Sequence, residues 1–171
     1  SSAGNFTLDD GTALAGVPYL TVGAHVTTAT VGAGGVGLTL ANVDLGMLLV
    51  STPGVDGTLL TADDVGYSAI KAKIGSATLF GISGLGVTVT DFYLEVNRSR
   101  VGALDGARLL DFNDGSPTNP LQRSVATGPS TAPVILDFDG GEGQLLQLAG
   151  DLTLDAFSFV SLTGSFAVKK S

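Results

Sequence analysis

The sequence predicts an all-β protein: an antiparallel two-sheet sandwich or flattened barrel with internal repeats, long bulged strands and little or no helix. A strand-like segment occurs three times, as GVGLTLANVDLGM (Gly35–Met47), GLGVTVTDFYLEV (Gly84–Val96) and the looser AGDLTLDAFSFVS (Ala149–Ser161). No sustained i, i+3, i+4, i+7 apolar pattern is present, so the helical signal is almost absent. Turn chemistry cuts the chain at Asp9-Asp10-Gly11, Pro53-Gly54, Asp56-Gly57, Asp105-Gly106 and Gly140-Gly141. What lies between those turns reads as strand.

In chain order, period-2 alternation runs through Val22-Ala24-Val26, Leu38-Leu40, Ile70-Ala72-Ile74 and Val87-Val89, then Leu146-Leu148-Gly150-Leu152-Leu154 and Val160-Leu162-Gly164-Phe166-Val168. Inside each repeat an apolar-Thr-apolar triplet is followed by a second alternating pair of the opposite parity. The pairs are Val43 and Leu45, Phe92 and Leu94, and Phe157 and Phe159. Strand side chains alternate faces, so holding both halves on one core requires an extra residue or a bend. These devices are expected near Ala41-Asn42, Thr90-Asp91 and Asp155-Ala156. The twelve repeat positions Leu38, Leu40, Val43, Leu45, Val87, Val89, Phe92, Leu94, Leu152, Leu154, Phe157 and Phe159 are expected to be mostly buried. Residues 116–133, with four of the six prolines and little alternation, read as a loop or covering arm. A shorter repetition flanks it, Leu110–Gly115 before and Leu136–Gly141 after, each an apolar strand ending in an acidic turn. The long repeat begins at unequal intervals (Gly35, Gly84, Ala149), unlike the fixed short period of a solenoid.

At 171 residues the chain fits one domain, 1–171, and its ends read as those of a module excised from a larger multi-domain protein. Sixteen acidic residues against 8 basic ones give a net charge of −8. That balance argues against nucleic acid, which needs a basic surface. Glu95 and Glu142 are the only glutamates, and the abundant Asp belongs in turns and oxygen-ligand sites. With no Cys, the fold depends on no disulfide and offers no thiolate. No apolar run is long enough for a spanning helix, so no membrane insertion is expected.

Gly32-Ala33-Gly34-Gly35-Val36-Gly37 satisfies G-x-G-x-x-G, but Leu38-Thr39-Leu40 follows where a dinucleotide site needs a helix, so it reads as a glycine-rich turn. His25, the only histidine, lies on the polar side of a strand and reads as exposed. No G-x-S-x-G accompanies it. The acidic turns are the one chemical signal. Asp111, Asn113 and Asp114, and likewise Asp137, Asp139 and Glu142, cluster oxygen donors beside glycines. That donor set selects Ca²⁺ if any metal binds, and a solvated hairpin turn is the competing reading. Asn5-Phe6-Thr7 and Asn97-Arg98-Ser99 are sequons without assigned function. Thr27, Thr28 and Thr30 with the Thr-centred triplets lack the regular repeat length of an ice-binding array.

On the segments LTLANVDLGMLLVS, GLGVTVTDFYLEVN and LAGDLTLDAFSFVSLTGSFAVKK the chain resembles repeat modules of very large secreted bacterial adhesin-like surface proteins. The resemblance implies an extracellular or cell-surface module, arrayed in tandem, whose work is spacing, adhesion or matrix building. It implies partners among neighbouring modules of the same chain or other surface molecules. The expected function is therefore non-catalytic and structural or adhesive. The alternative is a binding module whose barrel or sandwich holds an apolar small molecule or glycan, and an enzyme comes third. An interior closed by large side chains favours the first, an elongated cavity the second.

Overall fold

The structure is a computed structural model and describes residues 2–116 and 118–171. Pro117, within the proline-rich stretch, lies outside the described residues. The strands are β1 (Ser2–Leu8), β2 (Ala13–Ala33), β3 (Val36–Thr52), β4 (Val65–Phe80), β5 (Leu85–Val101), β6 (Leu104–Asp105), β7 (Leu110–Asp111), β8 (Arg123–Val125), β9 (Val134–Leu136), β10 (Leu145–Ala156) and β11 (Val160–Lys170). Among the described residues a single 3₁₀ turn, Gly140–Glu142, interrupts them. The fold is all-β and antiparallel, as the sequence predicts. One nine-stranded sheet runs β11-β10-β5-β4-β3-β2-β1-β7, with β6 beside β5, and a second sheet holds only β8 and β9. The large sheet is open, so of the two architectures expected the flattened barrel falls away.

Three hairpins turn at one end of the large sheet, which we call distal: β2–β3 at Gly34-Gly35, β4–β5 at 81–84 and β10–β11 at 157–159. Gly34 and Gly35 both have positive φ (62° and 84°), the requirement of a tight two-residue hairpin. The glycine-rich fingerprint is thus a turn, as read.

At the basal end the segment from Leu104 to Leu145 crosses one face of the sheet. Its β8–β9 pair and the residues around β7 close the core: Leu110, Phe112, Val125, Leu136 and Phe138 pack on Phe6, Leu8, Leu48, Val50, Tyr67, Ala69 and Leu145. Two glycines let the arm lie this close. A Cβ at Gly23 would meet the Ala126 carbonyl oxygen at 2.0 Å, and one at Gly46 would meet Val134 at 2.7 Å. The covering arm is therefore seated on bare backbone.

The opposite face carries the repeat. β10 and β11 pair without interruption from Leu146 opposite Lys170 to Ala156 opposite Val160, so Leu146, Leu148, Gly150, Leu152 and Leu154 share one face. Across β5, Leu148 sits opposite Leu94 and Leu152 opposite Val89. Cross-strand partners share a face, so Leu94 and Val89 do too, despite their opposite parity. The switch is made by one residue per strand, aligned in a row: Thr27, Asn42 (φ 52°), Gly75 and Asp91 (φ 48°). Register is the same on both sides of this crease from β2 to β5. β10 does not switch, and the β5–β10 pairing shifts by one residue between Ala149 and Asp151. Asn and Asp occupy the left-handed positions because they tolerate them better than other non-glycine residues.

Two expectations are corrected. The third device, at Asp155-Ala156, is no bulge: β10 ends at Ala156, and Phe157 (φ 52°) with Ser158 (φ 59°) makes the hairpin turn to β11. And none of the twelve repeat positions is buried; nine are half-buried, while Leu38, Phe157 and Phe159 are exposed. The periodicity sets which face a residue takes, but the small sheet covers the other face. Truncating Phe157, 58% exposed, is accordingly expected to cost far less than a buried phenylalanine would.

Candidate functional site

Where the covering arm ends, the covered face turns polar in two cross-strand rows. His25, Asp44, Lys73 and Tyr93 are registered side by side, and one step toward the base come Gly23, Gly46, Lys71, Glu95 and Gln147. β8–β9 and the residues that follow bring Val134 and Asp137 against these rows. A groove of about 390 Å³ results, bordered by His25, Asp44, Lys71, Lys73, Val134 and Asp137.

Two charge constellations occupy it. His25 Nδ1 lies 2.7 Å from Asp44 Oδ1, with the two side chains 29% and 35% exposed. The carboxylate only accepts, so Nδ1 carries the hydrogen and Nε2 is the basic nitrogen of the neutral ring. His25 is thus not the exposed strand histidine expected from the alternation; the arm half-buries it and Asp44 orients it. Lys71 bridges two carboxylates, Asp137 at 2.7 Å and Glu95 at 3.0 Å, with Nζ 5.9 Å above the Phe138 ring. Burial on its own pulls the Lys71 pKa down, but the hydrogen bonds and charges of Asp137 and Glu95 outweigh it and leave the group above the usual lysine range.

Lys71→Met is expected to cost about 1–2 kcal/mol, because Glu95 and Asp137 stay in place without their cation while solvent tempers the loss. A raised lysine pKa stabilises the fold fully below the unfolded value and loses that contribution as pH climbs through the folded one. The difference between parent and Lys71→Met should therefore hold from about pH 6 to about pH 10 and shrink above it. Urea unfolding across that range measures it.

The six proposed calcium donors separate. Asp137 is taken by Lys71, and Glu142 by Lys169 at 2.7 Å. Asn113 and Asp114 accept from the backbone amides of Gly115 and Ser116 at 2.9 Å, as Asx turns. Asp111 and Asp139 are brought together, accepting from the consecutive amides of Gly140 (3.1 Å) and Gly141 (2.8 Å). Among the described residues no three His, Cys, Asp or Glu converge as a metal group.

Asp44, Lys71, Lys73 and Glu95 were not singled out by the sequence. Their signal was present as polar residues on the non-repeat side of each strand, but nothing in the sequence tells which stretch of that side the arm reaches. The threonines behave alike. Thr30, Thr39, Thr78, Thr88, Thr153 and Thr163 form one row across six strands on the distal part of this face, a regularity made by register and not by sequence period. Comparison of the chain with protein families, curated protein sequences and solved structures found no match.

Proposed function

We propose that this chain is a non-catalytic structural or adhesive module of a large exported bacterial surface or matrix protein. The observation that carries the reading is where the repetition goes: two copies of the long repeat lie in β3 and β5, switch faces in the same aligned row, and the third forms the β10–β11 hairpin. What is copied is sheet surface. The space between the two sheets is filled by Phe6, Phe112, Phe138, Leu48 and Leu136, which supports a spacer over a sandwich that holds an apolar guest. The cell surface is the proposed location, and neighbouring modules or other surface molecules are the proposed partners. Among the described residues no helix is long and apolar enough to cross a membrane.

A second reading draws on the groove. His25, Asp44, Lys71 and Asp137 offer donors and acceptors of both signs beside Val134 and Pro133, the mixture that suits a glycan. Calcium stays a proposal for the acidic turns, with Asp111 and Asp139 as its first donors.

Esterase, glycosidase and phosphatase substrates are expected to show no turnover. Hydrolysis that disappears in His25→Ala would overturn the structural reading in favour of an enzyme. Melts in millimolar calcium and in chelator test the ion. A rise that Asp111→Asn removes supports it, and superimposable melts discard it.

A further inference from the structure

The six long strands β2–β5, β10 and β11 present one continuous apolar face that no described residue covers. Its basal half carries Val22, Met47, Ile70 and Leu94, and its distal half Leu40, Leu79, Val87 and Leu152, all on the side shown above to be shared. Exposure along it is high for such residues: Leu20 56%, Val31 69%, Leu162 52% and Val168 53%.

Charge is sorted between the faces. The acids on these strands are Asp44, Asp91, Glu95, Asp151 and Asp155. Asp44 and Glu95 lie on the covered side, and Asp151 and Asp155 share the parity of Thr153, opposite the leucines of β10. Asp91, at the crease, borders a shallow hollow with Tyr93, Ala149 and Asp151, again on that side. From these strands the apolar face keeps only Arg98, Arg100 and Lys170, all at its basal rim, where Asp105 of β6 pairs with Arg98 at 2.8 Å.

We propose that this face is the interface of a homodimer, in which a second copy of the chain closes over it as the partner sheet of a sandwich. This goes beyond the structural reading above and does not depend on it. Six strands about 4.8 Å apart and roughly twelve residues long at about 3.3 Å each give on the order of 1,000 Å² of face per copy. A pair buries about 2,000 Å², where obligate homodimer interfaces begin, whereas monomers rarely expose apolar patches of more than a few hundred Å². The crease lies near the middle of the face. A two-fold axis along it sets the basal half of one copy on the distal half of the other, an isologous contact. It also carries the charged rims to opposite ends, so the two rims do not meet. An anionic lipid surface is the poorer occupant, because the protein is acidic and its few cations here sit at one rim.

Sedimentation of the chain at micromolar concentration is expected to give a dimer. Leu45→Glu, near the centre of the face, should return it to monomer, while Thr78→Glu on the other face should leave it dimeric. Because the chain has no cysteine, Ile74→Cys beside the crease gives an independent measurement that requires no disruptive substitution. A short bismaleimide should link two Ile74→Cys copies at a dilution where Thr78→Cys is not linked. A monomeric parent, a dimer indifferent to Leu45→Glu with equal cross-linking at both cysteines, growth into open-ended oligomers through the β11 or β2 edge, or flotation with anionic vesicles in place of dimerisation would each overturn the proposal.

Discussion

Phe112→Ala is expected to lower stability by about 3–5 kcal/mol, the usual range for emptying a buried phenylalanine site. Phe112 is 1% exposed, and its ring meets that of Phe138 edge to face, with centroids 6.0 Å apart and planes at 78°. Its backbone amide also donates to the Phe138 carbonyl at 2.9 Å. The two rings come from equivalent places in the shorter repetition, Leu110-Asp111-Phe112 and Leu136-Asp137-Phe138, whose leucines are both 0% exposed. The arm is thus held to the sheet by four side chains from one duplicated tripeptide, and removing a phenyl ring leaves a cavity among them. A loss this large is a substantial fraction of the stability of an ordinary domain. Chemical denaturation of parent and variant measures it; a loss below about 1 kcal/mol would mean that the arm is not the core's main cover.

That duplicated tripeptide separates what is legible in the sequence from what is not. Its acidic residues stood out as possible ligands, yet its Leu and Phe close the core. Alternation was legible in both repeats because period 2 is local: the strands, the hairpin glycines and the face switches at Asn42 and Asp91 all follow from neighbours in sequence. Coverage is not local. Whether a face is buried depends on the path of an arm elsewhere in the chain, so the repeat positions are expected inside and lie half-buried or exposed, while Leu48, Leu110 and Leu136 form the interior. The groove was illegible for the same reason. His25 and Asp44 are nineteen residues apart in sequence and meet only by hairpin register, and Lys71 finds Asp137 sixty-six residues away through the arm.

Gly23→Ala tests the seat of that arm with a single methyl group. An added Cβ falls 2.0 Å from the Ala126 carbonyl oxygen and 2.8 Å from its carbon, both backbone atoms, so no side-chain rotation relieves the contact. The arm around β8 must lift, and Val125, 1% exposed, lifts with it. Overpacking of this kind costs about 1–3 kcal/mol, and more where backbone has to move. Gly66→Ala is the matched control: it lies in β4, has nothing within 4 Å of an added Cβ and has no positive φ. There alanine should be neutral or slightly stabilising, since it restricts the unfolded chain without strain. The pair separates a steric seat from a general dislike of alanine in these strands. Gly23→Ala should also be nicked by protease within residues 116–133 at concentrations that spare Gly66→Ala, because a lifted arm exposes its backbone. Equal stability and equal resistance in the two variants would show that the arm does not rest on β2 at Gly23.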